Sequence, residues 1–157
     1  MLKRGMDSPV GRLLLTVQDG MLCGVCLSDT CINDEDPVLD EAQRQLEEYF
    51  AGKRNRFDLP LNPQGSAFDR AVWQQLLEIP CGEIRTYGQL AAAMGKPKAS
   101  RAVGGACSRN PLLIVIPCHR VIAGTGKLTG FAAGLDMKRA LLAHEGWMVH
   151  ENRIRIR

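Results

Sequence analysis

The chain predicts an α+β fold in two modules. Three observations carry this: a strand-turn-strand pattern near the N-terminus, a helix-period apolar run after it, and a breaker-rich stretch before a second, mainly helical half. Leu13-Leu14-Leu15-Thr16-Val17 and Met21 to Leu27 read as strands joined by Gln18-Asp19-Gly20, since Asp-Gly supplies the positive φ angles of a tight hairpin. From Val38, the residues Leu39, Ala42, Leu46, Tyr49 and Phe50 recur at steps of three and four, the spacing of one helix face, with Gly52 as a stop. Leu59-Pro60-Leu61-Asn62-Pro63-Gln64-Gly65 then divides the chain into expected domains at residues 1–63 and 64–157.

In the second module, Ser66 with Asp69 has the spacing of a capping box and opens a helix through Val72, Trp73, Leu76 and Leu77, which Pro80 ends. Thr86 with Gln89 opens another, through Leu90, Ala91 and Met94 to Gly95. A third runs from Ser100 to Arg109, before Asn110-Pro111. The last two form a helix-turn-helix pattern. Gly104 and Gly105 each cost the third helix about 1 kcal/mol against alanine, so a bare surface is wanted there. Close approach to a ligand and close packing against the protein's own chain explain it equally. Gly124 to Gly130 reads as a flexible loop or wing, and Leu135 to His144 as a last helix. The tail alternates Arg153, Arg155 and Arg157 with Ile154 and Ile156, which fits a solvated basic end better than an edge strand.

At 157 residues the chain has ample material for a core, and its longest apolar runs fall well short of the ~20 residues that span a bilayer. A soluble, intracellular protein without membrane contact is expected. The six cysteines are scattered rather than framing a small scaffold and are read as reduced thiols. Cys23 and Cys26 have C-x2-C spacing with Cys31 near, but no fourth ligand is apparent and both lie in a strand-like run, so no metal is expected. The net charge is +3. Acidic residues gather between Asp29 and Glu48, while Lys96, Lys98, Arg101, Arg109 and Arg120 put a positive face on the second half.

Chemistry is concentrated at Ile116-Pro117-Cys118-His119-Arg120-Val121-Ile122, after the apolar run Leu112 to Ile116, which reads as a buried strand. A thiol of pKa ~8.5 is mostly protonated near neutrality and needs a base or a positive field to react. His119 is the nearest base. Successive side chains in extended structure face opposite ways, so the pair communicates only through a turn or a water. The dipeptide alone also fits an ordinary buried cysteine beside a surface histidine.

Together with Thr86-Tyr87-Gly88-Gln89-Leu90-Ala91, Arg101-Ala102-Val103-Gly104-Gly105-Ala106, Asn110-Pro111 and Leu141-Leu142-Ala143-His144-Glu145-Gly146, this stretch resembles the O6-alkylguanine-DNA alkyltransferases, or methylated-DNA–protein-cysteine methyltransferases, over roughly residues 67 to 147. The resemblance implies an N-terminal ribonuclease-H-like sheet-plus-helix domain and a C-terminal winged helix-turn-helix-like domain. It implies direct-reversal DNA repair, in which the alkyl group of O6-alkylguanine, and of O4-methylthymine, moves irreversibly to Cys118 in a single turnover without a cofactor. His119 would act as base through a water, Glu145 would orient His119, and Tyr87 would donate to the leaving purine. Asn110 would hold the active-site turn. Arg101 would fill the stack vacated by a flipped base, with Ala102, Gly104, Gly105 and Ala106 forming a slim face for the minor groove and Thr86 and Arg109 flanking it. Val121, Phe131 and Ala132 would line the base pocket, Phe131 standing where tyrosine is common. The implied partner is double-stranded DNA bearing alkylated bases, bound by a monomer with or without cooperativity, in the cytoplasm and, if the cell is prokaryotic, at its nucleoid. A lesion-binding relative, a helix-turn-helix regulator with Cys118 as sensor, and a cysteine hydrolase are the competing readings.

Overall fold

The computed structural model describes residues 1–129, 131 and 133–154, and these form two compact units. The first comprises Met1–Gln64 together with Pro111–Val115, and the second Gly65–Asn110 with Ile116 onward. The short segment at 111–115 therefore packs with the N-terminal residues, although a contiguous second module from residue 64 was expected. The reason is backbone pairing: the Val25 amide donates to Pro111 O (2.9 Å), and the Leu113 amide to Val25 O (3.1 Å).

The first unit is an antiparallel sheet, ordered β1 (Leu2–Met6), β2 (Leu13–Gln18), β3 (Met21–Leu27), beside one helix, α1 (Pro37–Phe50). The hairpin turns at Asp19 and Gly20, φ 53° and 74°, as the Asp-Gly signal required. β1 was not anticipated, because Leu-Lys-Arg-Gly-Met carries no β-branched residue and no clean alternation. Its Arg4 is buried and donates to Asp40 Oδ1 (2.5 Å) and Asp34 O (2.6 Å). Asp36 caps α1 by accepting from the Val38 and Leu39 amides, and the predicted stripe Leu39, Ala42, Leu46 and Tyr49 is buried. Cys23 lies where the β2–β3 register shifts, its thiol on Thr16 O, and Cys26 and Cys31 are exposed. No cluster of three metal-ligating side chains occurs among the described residues.

The apolar run Leu112 to Ile116 is buried throughout, yet it is not the expected strand. Only Leu112 bridges to Val25; the chain then reverses at Ile114, φ 73°, where the Val115 amide donates to Leu113 O (2.8 Å). This is a three-residue turn of the rare positive-φ kind, strained for a β-branched residue by about 1–3 kcal/mol.

The second unit holds α2 (Ala67–Leu77), α3 (Tyr87–Ala93), α4 (Ser100–Ser108) and α5 (Leu135–His144), with β4 (Arg85–Thr86) parallel to β5 (Val121–Ile122) and a terminal hairpin, β6 (Val149–His150) and β7 (Arg153–Ile154). Thr86 and Gln89 close both halves of a capping box on α3. Ser66 Oγ accepts from the Asp69 amide, while the Asp69 carboxylate takes the Arg109 guanidinium at 2.8 Å on each oxygen. The loop after β5 is tied down rather than free: Leu128 N donates to Asn152 O (2.7 Å) and Ile154 N to Gly126 O (2.8 Å). Ile154 is buried with Ile122, Leu128 and Leu142, so the basic tail begins as a strand. Residues 155–157 lie outside the described residues. Among the described residues no helix is long and apolar enough to cross a membrane.

Candidate active site

The Ile116-Pro117-Cys118 corner is set by two consecutive turns. The Cys118 amide donates back to Ile116 O (2.8 Å) across Pro117, and Cys118–Arg120 then forms one turn of 3-10 helix. Cys118 thus stands at the head of a turn rather than at the end of a strand, and is 2% exposed. Asn110, just past the end of α4, clamps this corner: its Nδ2 donates to Ile116 O (2.8 Å) and to Cys118 Sγ (3.0 Å). Burial pushes the Cys118 thiol up to about 11, against the Asn110 hydrogen bond and the Lys138 charge, which favour the thiolate.

His119 follows on the same turn, and its Nε2 lies 2.7 Å from Glu145 Oε2, both side chains 0% exposed. Burial holds the imidazole below its ordinary 6.5, although Glu145 acts the other way. The neutral ring gives its Nε2 proton to Glu145, which makes Nδ1 the basic nitrogen; Nδ1 is buried and has no protein partner among the described residues. Glu145, at the C-terminus of α5, is also gripped by Arg120, whose Nε reaches Oε1 (2.7 Å) and Nη2 reaches Oε2 (3.0 Å), while Nη1 donates to Ile79 O (2.7 Å). Arg120 was expected on the positive face. It is buried instead, because Glu145 and the Ile79 carbonyl supply its guanidinium with acceptors inside the protein.

Tyr87, the first residue of α3, donates from Oη to Thr129 O (2.9 Å). Burial raises its phenol above the usual 10. Lys138 of α5 is fully buried and donates to the same Thr129 carbonyl (2.8 Å) and to Val121 O (2.6 Å). Neither Arg120 nor Lys138 was singled out for the site from sequence. Lys138 did carry a signal, as a charge three and four residues before Leu141 and Leu142 on the apolar side of its helix.

On α4, Arg101 and Ala102 are exposed and Gly104 and Gly105 half-buried, while Val103, Ala106 and Cys107 face inward. Ala106 was expected on the DNA-facing surface. It is buried, and its carbonyl accepts from Trp73 Nε1 (2.9 Å), a strong anchor for the helix. The two glycines also resolve separately. A Cβ on Gly105 would meet the Arg109 guanidinium at 3.1 Å, whereas one on Gly104 would only touch the Tyr87 ring at 3.8 Å. Arg109 therefore lies back over its own helix toward Asp69, with its side chain still 59% exposed. Thr86 is half-buried at the α3 cap, and Val121 and Phe131 are buried. Ala132 lies outside the described residues.

Residues 67–147 match the family described as 6-O-methylguanine DNA methyltransferase, DNA binding domain, and residues 1–63 match its ribonuclease-like domain. A methylated-DNA–protein-cysteine methyltransferase of Methanosarcina acetivorans is 48% identical over 149 residues, covering 89% of this chain and 95% of that one. The protein of the same name from Mycolicibacterium paratuberculosis is 46% identical over 149 residues, covering 90% of each. The crystal structure of Mycobacterium tuberculosis OGT in complex with DNA superposes with a TM-score of 0.84 at 41% identity, covering 92% of this chain and 93% of that one. With both domain matches in sequence order and near-complete coverage by these relatives, the chain belongs to the 6-O-methylguanine DNA methyltransferase family, the methylated-DNA–protein-cysteine methyltransferases.

Proposed function

We propose that this protein repairs alkylated DNA by direct reversal, with Cys118 as the acceptor of the alkyl group of O6-alkylguanine and of O4-methylthymine. The observation that carries the assignment is one buried turn, Cys118–His119–Arg120, whose thiol accepts from Asn110 and whose imidazole and guanidinium both meet Glu145. His119 Nδ1 takes the thiol proton through a water, and Glu145 stabilises the imidazolium that forms. The sulfur forms a bond to the alkyl carbon as the bond from carbon to guanine O6 breaks, leaving its electron pair on the purine. Tyr87 Oη then supplies the hydrogen bond or proton that the departing base needs. The product thioether is a poor leaving group, so one protein molecule serves for one lesion.

A stacked base hides its alkyl carbon, so the nucleotide has to leave the duplex at a cost of a few kcal/mol. Exposed Arg101, at the start of α4, is suited to occupy the gap, and the slim Ala102–Gly104–Gly105 surface fits a narrow groove. Thr86 and Arg109 flank this surface, and Val121 and Phe131 line the pocket for the flipped base. The protein acts as a monomer on double-stranded DNA, with phosphate contacts that carry no sequence preference. Six free cysteines among the described residues favour a reducing compartment, the cytoplasm.

The deciding experiment mixes the protein with a duplex carrying one O6-methylguanine and follows the methyl group by intact-mass and peptide mass spectrometry. One methyl per protein at Cys118 is expected, and Cys118→Ala keeps DNA binding while losing transfer. Binding without transfer would favour a lesion sensor, and transfer retained in Cys118→Ala would overturn the assignment.

A further inference from the structure

Arg109 closes α4 and is tied to α2 rather than left free at the surface. Its Nε donates to Asp69 Oδ2 and its Nη2 to Oδ1, each at 2.8 Å, although the two residues lie 40 positions apart in sequence. Asp69 is buried in the first turn of α2, where the helix dipole favours a negative charge, and Arg109 holds its carboxyl below the ordinary 3.8. One turn further along α2, Trp73 Nε1 donates to Ala106 O (2.9 Å). The last turn of α4 is therefore held to α2 at two points, Ala106 and Arg109. Gly105 permits the second, since a Cβ there would meet the Arg109 guanidinium at 3.1 Å.

The next residue is Asn110. It continues directly from the Arg109 cap, whose amide donates to Gly105 O (3.1 Å) and Ala106 O (3.2 Å), and its own amide donates to Cys107 O (3.3 Å). Its side chain is buried, with Nδ2 on Ile116 O (2.8 Å) and on Cys118 Sγ (3.0 Å). Hydrogen bonds weaken steeply with misalignment, so a displacement of the α4 terminus reaches the sulfur through Asn110. A guanidinium that grips both oxygens of a carboxylate fixes direction as well as distance.

Resting on the alkyl-transfer reading above, we propose that Asp69 and Arg109 are positioning residues of the transfer: their ion pair fixes the end of α4 so that the Asn110 amide stays on the Cys118 sulfur. Neither residue touches the reacting atoms, and neither gives or takes a proton. The Arg109 charge is committed to Asp69, and the pair acts on the rate of transfer rather than on the grip on DNA.

The test is the single-turnover rate of methyl transfer from a saturating O6-methylguanine duplex, with duplex affinity measured separately. Arg109→Gln and Asp69→Asn are each expected to slow transfer by about three- to tenfold, the worth of one hydrogen bond. The double variant is expected to be no slower than the singles, because both remove the same contact. In an Asn110→Ala background Arg109→Gln is expected to cost nothing further, since the pair acts through that amide. A general brace of the fold would slow both backgrounds alike. A phosphate contact would leave the saturated rate at the wild-type value while Arg109→Gln lost affinity. Either result overturns the proposal. Where Asp69→Asn does not fold, Arg109→Gln in the two backgrounds decides, its side chain being 59% exposed and so tolerant of change. Absence of transfer from the wild-type protein would instead overturn the repair assignment on which this proposal rests.

Discussion

Glu145 has two tasks in one side chain: it accepts from neutral His119 and neutralises Arg120, with no exposure to solvent. Removing its charge leaves a buried guanidinium without an anion, the situation in which breaking a buried pair costs about 3–5 kcal/mol. Glu145→Gln should lose that much stability in urea unfolding and transfer methyl more slowly as well. A loss below about 1 kcal/mol would show that Arg120 does not depend on the carboxylate. Cys118 and His119 stood out in the sequence as neighbours and Glu145 through the resemblance, and the structure brings that imidazole and carboxylate together. Arg120 and Lys138 did not stand out. Composition places charges outside, and it is the contacts of Arg120 with Glu145 and Ile79 O and of Lys138 with the Val121 and Thr129 carbonyls that permit them inside.

The elements show the same division. The caps of α1, α2 and α3 are local hydrogen bonds between residues two or three apart, so Asp36, Ser66 and Thr86 mark helix starts without tertiary help. The glycines of the second unit behave differently from one another for reasons that come from distant chain. A Cβ on Gly126 would lie 2.2 Å from Ile154 O, at φ 88°, so Gly126→Ala should be strongly destabilising in thermal unfolding. Gly104→Ala, meeting only the Tyr87 ring at 3.8 Å, should be neutral or stabilising by up to about 1 kcal/mol, while weakening affinity for a lesion-bearing duplex. Equal affinity of Gly104→Ala and wild type would remove this face of α4 from the DNA-binding surface. The run Leu112 to Ile116 reads as a strand by composition, yet its hydrogen bonds go to Val25 and to its own turn at Ile114. Propensity set its burial and tertiary pairing set its path.

For the molecule as a whole, the two matched family regions are contiguous in sequence, whereas the compact units are not, since Pro111–Val115 belongs with the N-terminal residues. A fragment spanning residues 65–157 would strip Leu112, Leu113, Ile114 and Val115 of their packing partners in the first unit. It should bind a hydrophobic dye and elute as aggregates in size-exclusion chromatography, unlike the full chain. A monodisperse, dye-silent fragment would show that the segment can be buried within the second unit alone. The order of helices, the hairpin, the candidate Cys118–His119 pair and the family itself were set by the sequence, because each depends on residue identity and on spacing along the chain. The clamp of Asn110 on the thiol, the buried charges of Arg120 and Lys138, the inward turn of Ala106 and the return of 111–115 to the first sheet were decided by the tertiary structure. Each of these depends on which backbone carbonyls, carboxylates and amides are brought near from distant positions, and that is a property of the folded chain.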